Sequence, residues 1–168
     1  VFGGNGLTPA DQARDTLFAR LHGDLARLDD EHGLRPDLLV VTGDLAEQGL
    51  RSEFKRAFEF LAELTAAVDL SREHVIVVPG NHDINRDACM SYFAAQRSLE
   101  REPKHPFWPK WENFAEAFTE FYDGVEGVSF TPDEPWTLRE VSGLGVVVAG
   151  LNSTMAESHR DDDHFGQV

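Results

Sequence analysis

The sequence predicts an α/β fold with a parallel sheet, and three observations carry that prediction. Residues 37–41 (DLLVV) and 74–78 (HVIVV) are near-continuous runs of Val, Ile and Leu. Such runs mark strands covered on both faces, because a strand with one wet face alternates apolar and polar residues. Between them, Phe54, Phe58, Leu61 and Leu64 recur at helical spacing, which gives a strand–helix–strand order. Both runs also end alike, in a glycine followed by a carboxylate or amide: Gly43-Asp44 after the first, Gly80-Asn81-His82-Asp83 after the second.

Each element has its own local justification. Thr8 can cap a first helix, Pro9 suits its first turn and Asp11 favours its positive end. Leu17, Leu21, Leu25 and Leu28 then repeat along one face, and Gly33 is placed to end it. The strand 37–41 follows, then a helix over about 52–67, then the strand 74–78. Residues 103–122 (PKHPFWPKWENFAEAFTEFY) begin with prolines and continue with Trp111, Phe114, Phe118 and Phe121 at helical spacing. This helical insertion, at about 100–125, reads as a core-facing helix or as a cap whose rings shape a substrate pocket. Strands return at 136–141 and 144–149, with Gly143 and Gly145 at the turn of a hairpin. One domain spans 1–168, with no internal repeat.

Composition narrows the function. The chain has 168 residues, 41% of them apolar, enough for a domain with a real core. Its formal net charge is −15, which repels nucleic-acid backbones and anionic membranes. The one cysteine, Cys89, permits no internal disulfide and no Cys-based zinc site, in keeping with a reducing, cytoplasmic setting. No apolar run approaches the roughly 18 residues of a membrane span.

In an α/β sheet, ligands bind beyond the carboxyl ends of the strands. Asp44 and the Asn81-His82-Asp83 group stand there. If the strands are parallel neighbours, they meet in one cleft that offers carboxylate, amide oxygen and imidazole, donors suited to hard or borderline cations.

At this point GDLAEQG (43–49) and GNHD (80–83) resemble the second and third signature blocks of the calcineurin-like metallophosphoesterases. The resemblance is nearest to bacterial cyclic-nucleotide phosphodiesterases of the class III type, in which the Gly-Asp block runs on to a Glu-Phe pair and a Phe-Leu-x-x-Leu ending. Here these are Glu53, Phe54, Phe60, Leu61 and Leu64. It covers most of residues 37–90, and LNSTMAESHRDDDHFG (151–166) is similar to the segment after a later strand in bacterial members. The resemblance implies a metallophosphoesterase-type αββα sandwich and two divalent metal ions (Mn, Fe or Zn) acting on a small phosphoester substrate. It implies Asp44 as bridging ligand, Asn81 as ligand of the second metal, His82 as the group that contacts the phosphoryl oxygen or protonates the leaving group, and Asp83 as the residue that holds the His82 ring. Glu47 matches an acidic position near the site. Asn152, Ser153, His159 and His164 are candidates for lining it, with Asn152 and His159 put forward as substrate-binding. His22 and His32, on or at the end of the first helix, read as solvated, while His74 starts a strand and His105 sits among prolines.

The family's first Asp-x-His block and its closing Gly-His-x-His block have no counterpart in these residues. The sandwich is therefore expected to be incomplete, the chain to be a domain cut at both ends from a larger protein, and metal binding to be weak. A regulatory module without chemistry is the competing expectation. A nuclease of the same superfamily is a third, which the net charge opposes.

Overall fold

The computed structural model describes residues 9–141 and 143–160, and the side chains of 9–11 are outside the description. Thr8, Asp161–Asp163 and His164 therefore lie outside the described residues, as does any role for the Asp11 side chain.

Helix α1 (Pro9–His32) ends where Gly33 turns left-handed, at φ +64°, and its N–H returns to the Asp29 carbonyl at 2.8 Å. Strand β1 (Leu39–Val41) leads through a loop to α2 (Arg51–Ala67), and a 3-10 turn (Arg72–His74) leads into β2 (Val75–Val77). The two strands pair in parallel, with Leu39 opposite Val75 and Val41 opposite Val77. Helix α3 (Arg86–Ser98) follows the second loop. A further 3-10 turn (Trp108–Trp111) enters α4 (Glu112–Phe121), and β3 (Thr137–Val141) and β4 (Val146–Gly150) close an antiparallel hairpin.

The core lies between α2, α4 and β2. Phe54, Phe58 and Leu61 of α2 are buried in one cluster with Phe114, Phe118 and Phe121 of α4, and Leu64 is buried as well. Phe54 meets Phe114 edge-on at 5.6 Å, and Phe130 packs on Trp111, Phe114 and Phe118. Each ring buried in this way contributes about 1.5–3 kcal/mol of transfer free energy. The insertion over about 100–125 thus spends its aromatics on the core. Trp111, Phe114, Phe118 and Phe121 are all buried, and none of them lines the cavity beside His82.

The two strands are not covered alike. All three residues of β2 are buried, whereas Val40 of β1 is 47% exposed. The expectation of cover on both faces holds for β2 and fails for β1, because the described elements pack on only one side of it. The described residues form two separate two-stranded sheets. The fold of the described residues is mixed α/β, consistent with the expected class, and the two sheets are not joined into one sandwich among them.

Candidate active site at the strand ends

The loops after β1 and β2 are pressed together, backbone against backbone. Gly43 has φ +108°, and a Cβ placed on it would lie 2.5 Å from the Gly80 nitrogen and 2.6 Å from the Gly80 Cα. A Cβ on Gly80 would lie 2.6 Å from the Asp44 nitrogen. Only glycine fits either position. A second contact is made at Gly49, where a Cβ would meet the backbone of Ile84 and Asn85 at 2.6–2.7 Å. The close approach brings the polar residues of both loops into one place.

Asp44 itself is left-handed, at φ +57°, and its Oδ1 accepts the His82 backbone N–H at 3.2 Å. The two predicted positions are therefore joined directly, at the carboxyl ends of adjacent parallel strands. Asn81 and His82, with Glu47 and Arg86, line a cavity of about 340 Å³. Asp44 faces a neighbouring cavity of about 480 Å³ bounded also by Arg14, Glu53 and Arg56, and Glu47 borders both.

The His82 ring is held by backbone. Its Nδ1 lies 3.2 Å from the Glu47 carbonyl. A carbonyl only accepts, so this contact puts a proton on Nδ1 and leaves Nε2 for the cavity.

Asp83 does something other than orient that ring. It is fully buried, and its carboxylate accepts the Ala46 N–H at 2.7 Å and the Gly80 N–H at 2.8 Å, clamping the two loops to each other. Burial pushes its carboxyl up to about 6, the amide donors pull the other way, and the Asp44 charge adds to the rise. The role of holding the imidazole falls to Glu47, whose backbone, not its carboxylate, reaches the ring. Position in sequence could not separate these roles, because a backbone contact leaves no mark on residue type.

Glu53 also has a structural task. As the third residue of α2 it reaches back to accept the Leu50 N–H at 2.9 Å, the carboxylate half of a capping box. Asn85 caps α3 in turn, its Oδ1 accepting the Ala88 N–H at 2.8 Å.

Asn152 does not line the site. It is buried, donates to the Pro135 carbonyl and accepts from both the backbone and the hydroxyl of Thr154, which commits its side chain to a turn. His159 lies on a different cavity, against Phe93. Arg86, which sequence reading passed over, lines the His82 cavity and ties it to the chain after β4. It donates to the Ser158 and Arg160 carbonyls and pairs with the buried Glu157 at 3.2 Å.

Asp44 and Asn81 supply donors of the kind a hard or borderline cation takes. Their number falls short. Among the described residues no three His, Cys, Asp or Glu side chains gather as a metal group. The described residues match such an ion in kind without completing its coordination.

Comparison with known families settles the chain's affiliation. The profile described as calcineurin-like phosphoesterase matches residues 14–160. The chain belongs to the calcineurin-like phosphoesterase family. Members of this family are generally metal-dependent phosphoesterases. An uncharacterized metallophosphoesterase-like protein of Bacillus subtilis (strain 168), YydB, is 42% identical over 53 residues. The aligned stretch covers 30% of this chain and 10% of that relative. No solved structure gives a significant match. No described helix is long and apolar enough to cross a membrane.

Proposed function

We propose that this chain carries the strand-end half of a dinuclear metallophosphoesterase centre that hydrolyses a small phosphoester. The observation behind it is the direct contact between Asp44 and the Asn81-His82 turn on adjacent parallel strands. In this reading Asp44 and Asn81 would hold the divalent ions (Mn, Fe or Zn), with Asp44 shared between them. Bound there, the ions supply an activated water and charge neutralisation at the phosphoryl group. His82, as the doubly protonated imidazolium with its Nδ1–H on the Glu47 carbonyl, would donate its Nε2–H to the phosphoryl or leaving-group oxygen. Asp83 fixes the distance between the two loops. The class III resemblance around Glu53, Phe54, Phe60, Leu61 and Leu64 favours a cyclic nucleotide as substrate and a place within a larger protein, and the single cysteine is in keeping with a cytoplasmic setting. A second reading, a module that keeps the fold without the chemistry, draws on the two-donor set among the described residues.

The test uses the full-length gene product, with metal content and phosphodiesterase turnover measured together. Asp44→Asn is expected to lose both. His82→Ala is expected to keep its metal and to lose roughly 10²–10⁴-fold in turnover, the scale of a general acid. The loss should be smaller for nitrophenyl esters, whose leaving group needs little protonation. Metal and rate lost together in His82→Ala would make His82 a ligand. A metal-free, inactive wild type would leave the module reading standing.

A further inference from the structure

A cavity of about 700 Å³ lies apart from the one at the strand ends. It lies along the second half of α3, and residues 100–103 and 159–160 stand on its rim. Its volume is within the range of small-molecule sites. Arg97, Arg101 and Arg160 line it, together with His159, Phe93 and Met90. Two carboxylates, Glu100 and Glu102, are also on its wall. Three guanidinium groups outnumber them, on a chain whose formal net charge is −15. Among the described residues none of the three guanidiniums is ion-paired, although carboxylates are plentiful.

His159 adds an independent sign. Its ring stands edge-on to Phe93 at 4.9 Å, and its Nδ1 is buried with no hydrogen-bond partner among the described residues. A buried N–H without an acceptor is costly. The cost is avoided when Nδ1 carries no proton, which places the proton on Nε2 as a donor. Phe93 also meets Phe107 at 4.8 Å, so its ring is fixed on two sides.

We propose that this cavity is a binding site for a nucleoside phosphate, separate from the strand-end site. The arginines would take the phosphate, since guanidinium forks match its oxygens. The His159 Nε2–H would add a donor, and Phe93 with Met90 would carry the base. Arg86 gives the site a line to the catalytic cavity. It lines the His82 cavity and holds the carbonyls of Ser158 and Arg160, so an occupant that draws on Arg160 pulls on the wall beside His82. The proposal does not depend on the metal chemistry proposed above.

The experiment is calorimetric titration of the full-length protein with AMP, in chelator so that no metal-held phosphate contributes. The same titration is run with adenosine, with inorganic phosphate, and on three variants. Saturable AMP binding is expected, weakened at least about tenfold in Arg97→Gln/Arg101→Gln and in Arg160→Gln, about 1.4 kcal/mol or more. It should be unchanged in Asp44→Asn. Adenosine and inorganic phosphate should each bind at least about tenfold more weakly than AMP. The arginines are exposed, and unchanged melting curves would show the variants folded. Binding lost in Asp44→Asn but kept in the arginine variants would overturn the proposal by placing AMP at the strand ends. So would phosphate binding as tightly as AMP, or no saturable AMP heat. None of these results would bear on the turnover of His82→Ala, so the two readings fail separately.

Discussion

Helices α1 and α2 both carry apolar residues at helical spacing, and they have opposite fates. The Phe54, Phe58, Leu61 and Leu64 face of α2 is buried to 6% exposure or less. In α1, Leu17 is 57% and Leu28 is 41% exposed, and among its described side chains none is fully buried. Its contacts with α2 include an edge contact, Phe18 on Phe60 at 6.0 Å, the Arg14 guanidinium over the Phe60 ring at 5.9 Å, and a half-exposed ion pair, Arg14 with Glu63. Periodicity reports which face could be buried. Burial needs an opposing surface, and among the described residues α2 has the aromatic face of α4, while α1 meets α2 along one edge. The energetics of the molecule should follow this division.

The steepest consequence belongs to the glycine contact that packs loop on loop. Gly43→Ala forces a side chain into a left-handed backbone and against the Gly80 backbone at 2.5 Å. It should cost on the order of 5 kcal/mol, and denaturant melts would record loss of the cooperative transition or a large fall in its midpoint. A mild effect would mean that the two loops are not held as described. Phe114→Ala comes next, at about 3–5 kcal/mol, because Phe54, Phe58, Phe118 and Phe130 cannot all collapse onto the space it leaves.

Asp83 sharpens the comparison through pH. Its carboxyl is raised to about 6 in the folded chain, against an ordinary value near 3.8. The folded state therefore holds the proton more tightly than the unfolded state. The resulting stability is fully present below about pH 4 and is lost as pH rises through about 6, a swing of roughly 3 kcal/mol. In metal-free buffer the unfolding free energy of wild type should fall over that window more steeply than that of Asp83→Asn. Equal slopes in the two proteins would refute the assignment.

Two smaller effects complete the series. Tyr122 donates to the Val75 carbonyl at 2.8 Å, and burial pushes its phenol well up. Tyr122→Phe leaves that carbonyl unpaired and should cost about 1–2 kcal/mol in thermal or urea melts. Leu17→Ala should shift stability by no more than about 0.5 kcal/mol, since the side chain is already largely in water. A Leu17→Ala loss comparable to that of Phe114→Ala would show that α1 is covered in solution, and the contrast between the helices would disappear.

The sequence by itself determined the alternation of strands and helices, the parallel pairing of β1 with β2, the hairpin of β3 and β4, and the meeting of Asp44 with the Asn81-His82 turn. These arise from runs of β-branched residues, from helical spacing and from glycines that must turn tightly. Such signals are local and are written in residue type. Tertiary structure alone decided which amphipathic face found a partner, that Val40 stays half in water while β2 is enclosed, and that the aromatic insertion fills the core. It also decided the divided labour around His82. Asp83 went to the loop amides and the imidazole to a backbone carbonyl, because hydrogen-bond partners are chosen by distance once the chain is folded. Backbone groups, being identical at every residue, give no notice in the sequence of which side chain they will hold.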